Sequence, residues 1–219
     1  MTIAHHPSEE TLVDYVAGAL DEGNSLVVAA HIARCPECQD ALRELRIVAG
    51  AILETCGRET VSPGLRGACL ASLDAVEPER VPHLHAGADQ TAAPLATRLR
   101  DPLSLYRHGS WRRIGPGVRR CDIHVSADRG TRVFLLKADA GTHLPEHQHT
   151  GTEWTCVLSG AFRHDLGHFG PGDFDEADAS IEHTPIVEPG EECVCLVALN
   201  GSIELTGWFG RLVQPFVRF

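Results

Sequence analysis

The segment GTHLPEHQHTGTEWTCVLSG, residues 141–160, constrains the fold of this chain more than any other. Gly141 is followed by His147, His149, Glu153 and Gly160, and later by Pro171–Gly172–Asp173 and His183. Side chains alternate between faces along a strand, so His147 and His149 share a face. Thr150–Gly151–Thr152 forms a turn, and Glu153 returns to that face from the next strand. Imidazoles from His147, His149 and His183 with the Glu153 carboxylate, converging inside a small β-barrel, would hold a divalent metal. The competing reading is a His-rich surface hairpin.

A second constellation lies near the other end. His31, Cys35 and Cys38 read His-x-x-x-Cys-x-x-Cys. His31 and Cys35 are one helical turn apart and share a face. Pro36 suits the first position of a new helix. Cys38 then falls in that helix's first turn, where the dipole and free N–H groups favour a thiolate. The motif staples the end of one helix to the start of the next. Tetrahedral zinc needs one more ligand, and His5 and His6 are the nearest candidates. A redox dithiol is the alternative, but the βαβ context of a thioredoxin motif is missing.

At 219 residues and 43% apolar, the chain can bury one large core or two small ones. A formal charge of −11 argues against nucleic acid as a direct partner. The absence of a signal-like segment or an apolar run of membrane length points to the cytoplasm, with reduced thiols, and to no membrane association.

The N-terminal part reads helical. Ser8 is the expected N-cap of a first helix with Leu12, Tyr15, Val16 and Ala19 on one face, and Gly23 is the expected break. A second helix is expected over 25–34. A third carries Cys38, Leu42, Leu45, Ala49, Ile52 and Cys56 on one stripe, with Cys56 as a packed core thiol and Gly57 as the stop. A fourth follows Ser62–Pro63 beyond a short hinge. Residues 77–100, rich in Pro, Ala and charge, read as a linker, and His83 and His85 are taken as solvated within it. From Trp111 onward, short runs at 118–125, 131–138, 153–158, 173–177 and 192–199 alternate with turn signals. That pattern suggests a jelly-roll barrel. The expected architecture is therefore α+β and multidomain: a small zinc-stapled helical domain (1–76), a linker (77–100) and an all-β barrel (101–219).

The 141–160 segment resembles the first signature of the cupin superfamily. Residues 1–76 resemble the zinc anti-sigma domain of regulators that control extracytoplasmic-function sigma factors. The combination, with MTIAHHPSEETL, SLVVAAHIARCPEC and VQPFVRF, is similar to the ChrR-like anti-sigma factors over nearly the whole chain. The resemblance implies zinc ligands at His6, His31, Cys35 and Cys38, and cupin-site ligands at His147, His149, Glu153 and His183. It implies a helical domain that sequesters a sigma factor, and a sensory cupin that releases it under oxidative stress, singlet oxygen included. The cupin metal stays open among zinc, iron, manganese and nickel.

Two other readings remain. The three-His, one-Glu set also serves cupin dioxygenases, and a metal-loaded redox sensor needs no sigma partner. The fused zinc domain weighs against an enzyme. Cys193 and Cys195 are i and i+2 on an expected strand, so they share a face, in poor geometry for a disulfide. They read either as barrel packing or as a redox-sensitive pair near the metal. Cys121 and Cys156 have no evident partner, and His143 lies outside the ligand spacing.

Overall fold

The computed structural model describes residues 2–75, 101–125 and 130–206. The expected linker, His83, His85 and the VQPFVRF segment lie outside the described residues.

Helix α1 (Glu9–Ala17) starts at Ser8, whose side chain accepts the Thr11 N–H, and stops at Gly18 with φ +68°. The break expected at Gly23 falls at Gly18 instead, and Ala19 lies beyond the helix and is exposed. Gly23 sits in the first turn of α2 (Glu22–Ile32), which is capped by Asp21. There a Cβ would come within 2.8 Å of the Cγ2 methyls of Thr131 and Val133. Gly23 thus lets α2 approach the barrel closely rather than ending a helix. Helix α3 (Pro36–Thr55) begins at Cys35 with Pro36 in its first turn, and α4 spans Leu65–Ala75.

After a 3-10 turn at Pro102–Leu105, the chain is all-β among the described residues. The main sheet contains β1 (Arg107–His108), β2 (Arg112–Gly115), β3 (Val118–His124), β4 (Arg132–Ala138), β6 (Glu153–Ser159), β9 (Phe174–Ala177) and β12 (Cys193–Leu199). Its order is β1-β3-β4-β12-β6-β9, with β2 on β3. A second sheet runs β10-β5-β13, from Glu182–His183, His147–His149 and Ile203–Leu205. A third runs β11-β7-β8, from Ile186–Val187, Phe162–His164 and Gly167–Phe169. The five longest expected strands appear within two residues of their anticipated ends. The short strands were not legible singly, because two or three residues carry no measurable alternation.

Two apolar clusters share one sheet. Along β12, Cys193, Cys195, Val197 and Leu199 point into the barrel with Phe134, Val157 and Phe162. Leu196 and Ala198 point outward, beside Ile123, Val133, Cys156 and Phe174. Onto that outer face packs α2, with Leu26, Val27 and Ala30, and behind it Leu12 and Leu42 of α1 and α3. A strand covered on both faces is apolar throughout, as the run CVCLVAL is. A helix buried on several sides loses its polar face, as in SLVVAAHI. The Thr131 hydroxyl donates to Asp21 Oδ2 at 2.7 Å, tying the α2 cap to the barrel.

Candidate metal centres

His6, His31, Cys35 and Cys38 come together, with one ligand atom from each lying within 4.8 Å of the others. Cys35 caps α3 and its sulfur accepts the Cys38 N–H, which turns both thiols to one side. His31 Nε2 lies 3.2 Å from Cys38 Sγ, and His6 Nδ1 lies 3.4 Å from both sulfurs. Tetrahedral zinc at ordinary bond lengths sets N···S edges of about 3.6 Å, so the donor set fits that ion after a small expansion. The second ring nitrogens are also placed. His31 Nδ1 donates to the Gly172 carbonyl at 2.7 Å, and His6 Nε2 faces Glu37 at 3.5 Å. Such partners fix which nitrogen is left for the metal. Burial depresses His31 to about 4 and, with the neighbouring Cys35, lifts Cys38 to about 12. Without a cation both groups are neutral, as a low-dielectric pocket requires.

The cupin half gathers His147, His149, Glu153 and His183, again within 4.8 Å. Antiparallel pairing sets His183 of β10 opposite His147 of β5, and β6 delivers Glu153 after the turn. His183 Nε2 lies 3.0 Å from His147 Nε2 and 3.3 Å from His149 Nε2. Those edges match nitrogens on one ion at about 2.1 Å, which lie roughly 3.0 Å apart at right angles and 3.4 Å apart in a tetrahedron. His147 Nδ1 donates to the Pro145 carbonyl at 2.8 Å, leaving Nε2 free to ligate. Desolvation, then the neighbouring imidazoles, lowers His183 to about 3 and His149 to about 4. Burial, then the charge of Asp175, lifts Glu153 to about 8.

These directions fix a proton count. At pH 7 the histidines already lack their second proton, while Glu153 still holds one in the metal-free site. Metal uptake by the cupin should therefore release close to one proton per ion at pH 7, fading above about pH 9. Calorimetry in buffers of different ionisation enthalpy checks this, on chain already zinc-loaded in its helical half; zero release at pH 7 would contradict it. The same shifts set metal-free stability. It falls as pH drops from 6.5 towards 4 for the histidines, and as pH rises from 4.5 towards 8 for Glu153.

Two neighbours escaped the sequence reading. His164 Nε2 donates to Asp175 Oδ2 at 3.0 Å, because Nδ1 already accepts the Leu166 N–H. Both are buried beside His183. Asp175 and Ala177 alternate with Phe174 and Glu176 on β9, and that period-2 spacing was the available signal for Asp175. His143 stands apart and exposed, bridging to Ile186. Cys193 and Cys195 hold their sulfurs 3.6 Å apart and line, with Glu153 and His183, a cavity of about 50 Å³. Cys56, expected in the core, is exposed. Cys156 is buried between α2 and the sheet, and Cys121 donates to the Gly109 carbonyl.

Family models match both halves in order. A zinc-finger family covers 8–39, and the ChrR cupin-like domain covers 106–202. Fold and sites together define a zinc-finger helical module joined to a cupin. Anti-sigma-E factor ChrR of Cereibacter sphaeroides is 38% identical over 218 residues, spanning 100% of both chains. The crystal structure of Rhodobacter sphaeroides SigE in complex with the anti-sigma ChrR matches at 37% identity and TM-score 0.69, covering 91% of this chain and 100% of that one. This chain belongs to the ChrR family of anti-sigma factors.

Proposed function

We propose that the chain sequesters an extracytoplasmic-function sigma factor through its helical half and yields it under oxidative stress, such as singlet oxygen, sensed at the cupin. The observation that carries this reading is the apolar surface of α3 and α4. Beyond Leu45, Ile47, Val48, Ile52 and Leu53 are all more than half exposed. On α4, Leu65, Leu70 and Leu73 are exposed too. Contiguous exposed apolar surface on a monomer marks a binding site, and amphipathic helices dock into partner grooves. A relative seen bound to SigE supports the identity of the partner class.

In this reading His6, His31, Cys35 and Cys38 hold zinc and fix α1, α2 and α3 as one platform. His147, His149, Glu153 and His183 hold zinc, iron, manganese or nickel, which supplies a Lewis-acidic, oxidant-accessible centre. The working division is 1–76, 77–100 and 101–219. Among the described residues no helix is long and apolar enough to cross a membrane. The cytoplasm is the proposed compartment, where a sigma factor works and where the free thiols stay reduced.

We read the cupin as a sensor rather than a catalyst. Its cavity of about 50 Å³ admits a molecule of a few atoms, whereas organic substrates occupy pockets of roughly 300 Å³ or more. A hydrogen bond from Cys195 lowers the Cys193 thiol below its ordinary value, which leaves an oxidisable sulfur beside the metal ligands. Co-expression with the sigma factors of the same genome, followed by affinity capture and size exclusion, tests the reading. One stable complex that excludes core RNA polymerase is expected; capture of none, with transcription unchanged, overturns it.

A further inference from the structure

The zinc cluster is enclosed from the barrel side by one turn, Gly170–Phe174, between β8 and β9. Three independent contacts join them. The Gly172 carbonyl accepts His31 Nδ1–H at 2.7 Å, so a barrel backbone atom sets the orientation of a ligand ring that is completely buried. The buried Asp173 carboxylate accepts the N–H groups of Ala4 and His5 on Oδ1, at 2.7 and 3.0 Å, and the Gly170 N–H on Oδ2 at 2.7 Å. The Phe174 N–H donates to the His5 carbonyl at 3.1 Å, which pins the residue immediately before His6. Rings add to this: His5 stacks on Phe169 with centroids 4.2 Å apart, and His31 meets Phe174 edge-on at 5.7 Å. Gly172, at φ +95°, presents no Cβ where Ile3 lies.

Two of the four ligand residues thereby take a contact from the cupin: His31, whose backbone belongs to α2 but whose ring is oriented by Gly172, and His6. His6 precedes α1 and belongs to no helix. The backbone leading to it is fixed by Asp173 and Phe174. An extended terminal segment has no internal hydrogen bonds to fix it, so its position is set by what it docks on. Outer partners of metal ligands change metal affinity by roughly 10- to 100-fold when removed.

We propose that the Gly170–Phe174 turn is a working part of the zinc centre, with Asp173 as the positioning residue for His6 and the Gly172 carbonyl as that for His31. The barrel then sets how firmly the helical half holds its zinc. This rests on the reading of His6, His31, Cys35 and Cys38 as ligands. It goes beyond that reading in giving the zinc a cupin-built outer layer. The same turn leads directly into β9, whose Asp175 lies in the cupin cluster, so a displacement of β9 at one metal centre reaches the other within a few residues.

The test uses full-length chain loaded with cobalt(II), whose thiolate charge-transfer band reports only the cysteine-bearing site. Asp173→Asn is compared with Ala4→Pro, which removes one donor to Asp173 from an exposed position and leaves the barrel sequence intact. Thr131→Val serves as control, since it loosens the tie between the two halves away from the metal. The expected result is a shifted d–d spectrum and about 10-fold faster loss of the band to excess chelator for Asp173→Asn, a smaller acceleration for Ala4→Pro, and wild-type behaviour for Thr131→Val. Wild-type spectra and rates in both turn variants, or equal acceleration in Thr131→Val, would overturn the role of the turn while leaving the ligand reading intact. A wild-type chain with no thiolate band would overturn both.

Discussion

Cys38→Ala is expected to remove one zinc per chain and, with it, capture of the sigma factor. Cys38 Sγ is the point at which the set closes, 3.2 Å from His31 Nε2 and 3.4 Å from His6 Nδ1. Apolar burial in the helical half is concentrated on α2, whose Leu26, Val27, Val28 and Ala30 pack towards the barrel, whereas buried side chains of α1 are confined to Thr11 and Leu12 and those of α3 to Cys38 and Leu42, so α1 and α3 depend most on the metal. Structural zinc in small modules contributes on the order of 10 kcal/mol, more than the whole stability of many domains. The variant should lose its α1–α3 packing while the barrel keeps its own metal. Metal analysis combined with far-ultraviolet circular dichroism checks this. Full zinc stoichiometry with unchanged helicity would show that another set holds the ion.

The paired change Ile52→Asp and Leu53→Asp should abolish sigma binding without unfolding the chain. Both side chains are more than 60% exposed, so a carboxylate there costs the free protein little. In a complex each would otherwise bury most of its apolar area, worth about 1.5–3 kcal/mol. Two lost anchors, with two carboxylates forced into an apolar interface, amount to at least a thousandfold in affinity, or about 4 kcal/mol. Titration of labelled sigma factor, with thermal unfolding of the variant alongside, measures both halves of the statement. Wild-type affinity in the double variant would place the binding surface elsewhere.

Sequence period carried much of the fold. The strands at 118–125, 131–138 and 192–199 showed as apolar runs between turn residues; the cupin four and the His31, Cys35, Cys38 trio showed as spacings, whereas the choice of His6 over His5 came from the family resemblance alone. What stayed hidden shares one cause: periodicity marks a face but not what covers it. The α3 stripe runs unbroken from Cys38 to Cys56, yet only its first turns are buried and its far end, Cys56 included, is exposed. The second helix showed as a helix, though not that the outer face of β6 and β12 would cover it. Asp175 and His164 join the cupin cluster through tertiary pairing of β6 with β9 and through ring packing on Phe162 and Phe169. Asp173 was legible as a turn residue and nothing more, because its partners Ala4 and His5 lie 168 or more residues away.

In the proposed function the helical half grips the sigma factor and the cupin decides when the grip ends. The purified complex of full-length chain and sigma factor, exposed to photosensitiser-generated singlet oxygen and followed by size exclusion, tests it in one experiment, with Glu153→Ala complex run in parallel. Glu153 is a member of the cupin quartet on β6 and belongs to neither α3 nor α4, so its loss should leave assembly untouched. A signal moves a complex only by the difference in its interaction with the bound and free states, and the proposed function assigns that difference to the cupin centre. The account predicts that wild-type complex dissociates on exposure and Glu153→Ala complex stays whole. Equal dissociation of the two, or wild-type complex that survives exposure, would contradict it.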